Sequence, residues 1–221
     1  QLFALQAGDI TRRKQVELTF LRLARGLDLD DVAATRSLIA GLASALELDR
    51  LVLSRLDPTH PDRAHRIAGW QDGQALEAGE EFFVGLPEAI AARGEICLHP
   101  AGVTHLLPDV ADRLDPGFVS FAGIGLVAKP EQRVLGLLAG YARRPLQDPE
   151  RVRALLASAA EPLAQALAGH KRLEAASADR AHLDALLRHT GDLVIELEDA
   201  GTIRALSASF EPLLGHAAGA W

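Results

Sequence analysis

The sequence predicts an α+β fold, with helices packed on a central antiparallel sheet and a long helix after the sheet. Three observations predict it. Apolar residues recur at helical spacing over residues 15–46, and the period then changes to that of strands. Asp148, Pro149 and Glu150 place an N-cap, a first-turn proline and an acidic group at the start of the long helix.

Two helices are predicted first, with a break at residues 26–30. Asp30 or Asp31 is placed to cap the second one. Residues 50–56 and 64–70 then read as two antiparallel strands joined by a turn at 57–62.

Residues 71–117 combine many glycines and prolines with several large apolar side chains. A loop-rich stretch of this length inside a compact domain favours a functional role. Within it we predict short helices over 86–93 and 108–114 and a small strand over 95–98. Two strong strands follow at 119–128 and 133–142, around a turn at 129–132.

Composition excludes several classes of protein. The net charge of −7 argues against nucleic acid as a partner, because phosphate binding depends on Lys and Arg. A single Cys excludes an intramolecular disulfide framework and fits a reducing compartment. Apolar runs fall well short of the roughly 20 residues of a membrane helix. We therefore expect a cytoplasmic chain without direct membrane contact, although the full-length protein is free to carry an anchor elsewhere.

The order and spacing of four runs resemble a GAF domain of a bacterial subfamily found among PAS modules. They are residues 49–57, 68–73, 120–126 and 134–146. The resemblance covers residues 18–170 and implies a GAF/PAS-like sheet followed by a signalling helix. The chain departs from the subfamily at Leu86-Pro87-Glu88, where Thr-Pro-Cys is common.

Both ends of the chain resemble parts of PAS domains. Residues 9–14, Asp-Ile-Thr-Arg-Arg-Lys, are similar to the C-terminal end of a PAS domain, where its exit helix begins. A hairpin-like pair of strands at 193–197 and 202–206 is similar to the first strands of a PAS domain. We therefore expect a segment of a larger protein. Its predicted parts are a PAS tail at 1–14, a GAF domain at 15–170, a helical linker at 171–189 and an incomplete PAS start at 190–221.

Catalysis and bound cofactors have little support in the sequence. Cys97 and His99 lie two apart on a predicted strand and so share a face. They could form a thiolate and base or part of a haem or metal site, but no second Cys follows at ligand spacing, so the pair is also typical of ordinary core packing. The cyclic-nucleotide GAF signature requires an Asn, and the chain has none. We predict no catalytic residue and no metal site. The sequence requires no cofactor, and it leaves unknown whether a cofactor binds.

A noncovalent small-molecule pocket is better motivated. The resemblance places it between the sheet and the middle loops, and a mostly apolar cavity with a few polar groups suits a small ligand. The alternative is that the same side chains simply fill the core. The candidate pocket residues are Trp70, Phe82, Phe83, Cys97, His99, Phe118, Phe121 and Tyr141.

The long helix carries a weak heptad pattern, which predicts a homodimer seam formed by Val152, Leu156, Leu163 and Leu173. The alternative is a helix that covers its own sheet. Together these features predict the non-enzymatic sensory region of a histidine kinase or cyclic-di-GMP turnover protein. The other interpretations are a ligand-free dimerisation spacer and a redox or haem sensor that uses Cys97 and His99.

Overall fold

The computed structural model describes residues 27–60, 62–83, 86–106, 115–129, 132–190, 195–198, 202–206 and 215. The chain divides into two units, Gln1–His170 and Lys171–Trp221, which are described separately. The predicted first helix, the PAS-like run at 9–14 and the predicted helix over 108–114 lie outside the described residues.

The elements form an α+β arrangement, with helices before, within and after a run of strands. They are, in chain order, α1 (Val32–Leu46), β1 (Arg50–Leu56), β2 (Arg63–Gln71), β3 (Gln74–Leu76), β4 (Gly79–Phe82), α2 (Glu88–Ala91), β5 (Ile96–His99), α3 (Val103–Leu106), β6 (Ser120–Ala128), β7 (Arg133–Ala142), α4 (Pro149–Thr190), β8 (Ile195–Leu197) and β9 (Ile203–Leu206).

An antiparallel sheet of seven strands forms the centre of the first unit. Its order is β3-β2-β1-β7-β6-β5, and β4 pairs with the far half of β2. Strands β1 and β7, distant in sequence, are central neighbours, with Arg50 opposite Tyr141. The predicted antiparallel sheet with helices packed on it is confirmed.

Capping residues fix where the two principal helices begin. The carboxylate of Asp31 accepts a hydrogen bond from the Ala34 amide at the start of α1. Asp148 does the same for the Arg151 amide at the start of α4, at 3.0 Å. Both are acidic N-caps of the kind that the sequence predicts.

One face of the sheet packs on α1 and α4 and forms the larger core. Alternate strand residues point to it, so that Leu51, Leu53 and Leu138 meet apolar helix residues. The helix side chains in this core are Leu38, Ile39, Leu42, Ala43, Leu46, Val152, Leu156, Ala159, Leu163, Ala164 and Leu167. The intervening strand residues point to the other face.

These contacts correct the predicted dimer seam. Leu156 and Leu163 are fully buried against the sheet of their own chain, and Val152 is nearly so. They are therefore core residues, because a helix covering a sheet needs the same apolar spacing as a helix in a dimer. Of the four predicted seam residues, Leu173 alone is exposed, at 64%.

Two short strands lie where the sequence predicts only loop. β3 and β4 both pair with β2. Asp72 and Gly73 join β2 to β3 with positive φ angles of 49° and 87°, a turn that suits an Asp-Gly pair. That dipeptide is the sequence signal for a hairpin at this point.

A bulge divides β2 into two halves. Pairing with β1 shifts between Leu53 and Ser54, so Leu53 lies opposite Ala68 and Ser54 opposite Arg66. Ile67 is the extra residue. Before the bulge Ala64 faces away from the helices, whereas after it Ala68 packs among them.

The second unit contains the end of α4 and a hairpin. β8 and β9 pair antiparallel, with Ile195 opposite Leu206, which confirms the two predicted strands. Their assignment to a PAS domain stays a prediction. Within the described residues, no helix combines the length and the apolar character needed to cross a membrane.

The burial of α4 predicts that two leucines on the same helix respond very differently to truncation. Leu163→Ala is expected to lower the free energy of unfolding by about 2–5 kcal/mol, because it opens a cavity in the core. Leu173→Ala, its exposed counterpart, should change it by less than about 0.5 kcal/mol. Urea unfolding of both variants measures the difference. Equal losses would contradict the packing described here.

Candidate ligand-binding site

The second face of the sheet carries a smaller core built largely from aromatic side chains. Phe121 and Tyr141 pack with their ring centroids 5.0 Å apart, and Phe118 stacks on Tyr141 at 5.1 Å. Phe83 and Val103 come from the segments that follow β4 and precede β6, and Cys97 comes from β5 of the sheet itself. Most of these side chains fill space and leave little room between them.

A cavity of about 40 Å³ remains beside this aromatic cluster. Four cross-strand pairs form its floor, since paired residues share a face of the sheet. Phe82, Phe83, Leu86 and Glu88 line it from the chain that lies over the sheet. The floor pairs are Arg50–Tyr141, Val52–Ala139, Ser54–Leu137 and Ala64–Glu81.

Glu88 and Tyr141 form the polar contact between the covering chain and the sheet. The Tyr141 hydroxyl donates a hydrogen bond of 2.7 Å to Oε2 of Glu88. Burial raises the pKa of Glu88, and the Tyr141 hydrogen bond offsets part of that rise. Burial and the nearby Glu88 carboxylate raise the pKa of Tyr141 far above its ordinary value, so the phenol stays a donor.

A second polar group, consisting of Arg50, Glu81 and Arg66, holds β4 against the sheet. Arg50 donates to both Glu81 oxygens at 3.0 and 3.2 Å and to the Gln71 side chain at 2.8 Å. Arg66 binds the same Glu81 carboxylate and also the Glu77 carbonyl oxygen. Glu81 thus accepts hydrogen bonds from two guanidinium groups. Each of these groups also donates to one further acceptor, the Gln71 side chain for Arg50 and the Glu77 carbonyl oxygen for Arg66.

Ser54 contributes a hydroxyl to the cavity floor. The residue is 1% exposed, and none of the described residues forms a hydrogen bond with its side chain. Buried hydroxyls are normally hydrogen-bonded, so this one has capacity for a further partner.

Cys97 and His99 share a face as predicted, with Sγ and Nε2 3.4 Å apart. Burial raises the pKa of the Cys97 thiol and lowers that of His99. Both groups are therefore favoured in their neutral forms, which suits packing better than a thiolate–imidazolium pair. No cluster of three metal-ligating side chains occurs among the residues that the structure describes.

The predicted pocket residues separate into those that line the cavity, those that pack in the aromatic cluster beside it, and Trp70, which lies elsewhere. Phe82, Phe83 and Tyr141 line the cavity. Cys97, Phe118 and Phe121 belong to the packed cluster, and His99 contacts Phe121 with 6.3 Å between ring centroids.

The structure corrects the prediction for Trp70, which does not line the cavity. It pairs directly with Leu51 and packs among the helix-facing residues. Phe82 lines the cavity from an exposed position, at 47%, with the Arg63 guanidinium over its ring.

Sequence reasoning missed the polar residues of the cavity, namely Arg50, Ser54, Glu81 and Glu88. A signal exists for two of them. In β1, Arg50 and Ser54 alternate with Leu51 and Leu53, which indicates a polar second face. Glu88 and Glu81 carry no comparable pattern, because their positions depend on tertiary contacts.

A larger cleft of about 310 Å³ lies on the other side of the sheet, between the end of α1 and the start of α4. Its polar groups pair mainly with one another. Arg151 contacts Glu47 at 3.7 Å and donates to the Ala45 carbonyl at 3.1 Å, while Asp148 caps α4. We therefore consider the smaller cavity the better candidate site.

Comparison with known proteins identifies the fold. No protein-family model matches the chain, and no curated protein matches it significantly. Among solved structures, the chain resembles the GAF domain of a phosphoenolpyruvate-protein phosphotransferase from Acinetobacter, at 15% identity and a TM-score of 0.53, covering 74% of this chain and 97% of that one. The corresponding domain from Coxiella burnetii gives 19% identity, a TM-score of 0.53, and coverage of 74% and 96%.

A third similar structure is the free methionine-R-sulfoxide reductase from Neisseria meningitidis in complex with its substrate. Identity is 18%, the TM-score is 0.55, and coverage is 73% of this chain and 91% of that one. These likenesses show that the chain contains a GAF fold, as the sequence resemblance implies.

The raised pKa of Glu88 predicts a pH-dependent effect of Glu88→Gln. Folding favours the protonated carboxyl, so the contribution of Glu88 to stability is greatest at low pH and is lost as the pH rises through the raised pKa. The amide is neutral at every pH and still accepts from Tyr141. We expect Glu88→Gln to match the wild type below about pH 4 and to exceed its stability increasingly above that. Thermal unfolding from pH 4 to 8 measures this, and a gain that falls with pH would contradict it.

Proposed function

We propose that this GAF-fold chain is a sensory module that binds a small molecule in the cavity beneath β4 and α2. The observation that carries the proposal is the cavity lined by both the Glu88–Tyr141 pair and the Arg50–Glu81 ion pair. A packed core avoids buried polar groups unless they are satisfied or used, and Ser54 has no partner among the described residues.

The similar structures support binding at such a fold. One of them holds its substrate, and two belong to phosphotransferase proteins. The raised pKa of the Cys97 thiol gives no support to a reactive thiolate, so the proposal is binding without catalysis. We further propose a cytoplasmic location, in a signalling protein of histidine kinase or cyclic-di-GMP type, from the PAS-like ends of the sequence.

β7 provides a physical route from the cavity to α4. Leu137, Ala139 and Tyr141 line the cavity, whereas the intervening Leu138 packs in the core that contains Leu156. The strand ends at Ala142, close in sequence to the start of α4. A ligand that shifts β7 would therefore act on the packing of the long helix.

A metabolite screen by thermal shift tests the proposal. At least one compound should raise the melting temperature by mass action. A ligand at a hundred times its Kd adds about 2.7 kcal/mol to the free energy of unfolding. Ala64→Leu fills the cavity and should abolish the shift. Ala157→Leu, the same change at an exposed position of α4, should preserve it. If no compound stabilises the wild type, the ligand-free spacer replaces the sensor.

The predicted homodimer stays a prediction, with its seam revised. Leu173 is the exposed apolar residue among those predicted, so we expect any contact of α4 with a second copy to include it. Light scattering at about 100 µM should give twice the chain mass, and Leu173→Lys should shift the mass toward the monomer, because a buried unpaired charge is costly. A monomeric wild type at that concentration would reject the dimer.

A further inference from the structure

We propose that the cavity beneath β4 and α2 is selective for a small aliphatic amine in its protonated form, which binds between Glu88 and Ser54. The inference rests on the proposed function and names the ligand class of that same site. It is drawn from the charge balance of the cavity walls, the hydrogen-bonding capacity left on them and the space available.

The charge balance singles out Glu88. The two glutamates at the cavity differ, since Glu81 accepts hydrogen bonds from both Arg50 and Arg66. Glu88 accepts from the neutral Tyr141 hydroxyl. Arg50, at a longer distance, offsets part of the rise that burial causes in the pKa of Glu88, and no cationic side chain of the described chain forms an ion pair with this carboxylate. Buried carboxylates are normally paired with a cation, so a cationic ligand would supply the partner that the protein does not.

The arginines do not compete for this role. Arg50 is held by Glu81 and by the Gln71 side chain, and Arg66 by Glu81 and the Glu77 carbonyl. An anionic ligand would have to displace these contacts and would also face the Glu88 carboxylate. The cavity therefore disfavours acids.

Hydrogen-bonding capacity points to the same class. The Glu88 carboxylate accepts from Tyr141 and from its own backbone amide and keeps acceptor positions for further donors. The Ser54 hydroxyl also accepts, and a primary ammonium group has three donors to offer them. The rest of the wall is apolar and includes Val52, Ala64 and Leu137, which suits a short alkyl chain.

The volume limits the size of the ligand. About 40 Å³ holds roughly three water-sized groups, which corresponds to ethylammonium. A ligand of three non-hydrogen atoms is expected to bind with a Kd no tighter than about 1 mM.

Three small probes separate the classes, namely ethylammonium, ethanol and acetate. Each is titrated from about 1 to 100 mM at constant ionic strength and pH 7, with the melting temperature and titration calorimetry as readouts. Ethylammonium should give a saturable stabilisation of the wild-type chain, whereas ethanol and acetate should not.

Two matched variants assign the effect to Glu88. Glu88→Gln keeps the shape of the side chain and an acceptor for Tyr141 and should weaken ethylammonium binding at least tenfold. Glu80→Gln makes the same change at an exposed position of the adjacent strand and should leave binding unchanged. Circular dichroism verifies that both variants fold.

The outcomes separate this proposal from the proposed function. If neutral or acidic metabolites stabilise the wild type but not Ala64→Leu, and ethylammonium does not, the cavity binds a ligand and the amine class is wrong. If ethylammonium stabilises wild type and Glu88→Gln equally, the effect is a general salt effect and the inference fails. If no compound binds, both proposals fail together.

Discussion

Strand β7 is buried on both faces, and the rest of the first unit is arranged around that constraint. It pairs with β1 on one side and β6 on the other, and its residues alternate between the helix-facing core and the aromatic cluster. A strand in this position needs apolar or fully partnered side chains on both faces. Tyr141 satisfies the requirement because its hydroxyl reaches Glu88.

Glycines in β6 and β7 allow neighbouring chain segments to approach these two strands closely. A side chain at Gly125 in β6 would lie 2.3 Å from the Ala91 carbonyl oxygen, and one at Gly136 in β7 equally close to the Ser54 carbonyl oxygen. Gly136 therefore allows β7 to lie close to the backbone of β1, and Gly125 allows α2 to rest directly on the sheet. That contact brings Glu88 within reach of Tyr141 and makes the cavity small, so the chemistry of the site follows from backbone packing.

The sequence was sufficient for most of the architecture but for less of the site. Helix caps such as Asp31 and Asp148 and the strongly apolar strands follow from local rules, and the structure contains them. The seam at Leu156 and Leu163 was wrong because apolar heptad spacing does not reveal whether the partner is a second helix or a sheet. The sequence does not indicate that Glu81 and Glu88 line a cavity, because Arg50 and Tyr141, their hydrogen-bond partners, are distant in sequence and lie beside them only in the folded chain.

The bulge at Ile67 carries a consequence for how such a site is gained or lost. Two-residue alternation alone would place Ala64 and Arg66 on the same side of the sheet as Ala68 and Trp70. The additional residue inverts the parity of the first half of β2, so Ala64 and Arg66 instead meet Glu81. A strand of the same residues that paired without the bulge would turn the Arg66 guanidinium toward the leucine core and dismantle the cavity wall, whereas deletion of Ile67 itself would keep Arg66 opposite Ser54. In a lineage of related chains, the pairing of β2 with β1 at this point would therefore report on the site as directly as the identity of any residue lining it.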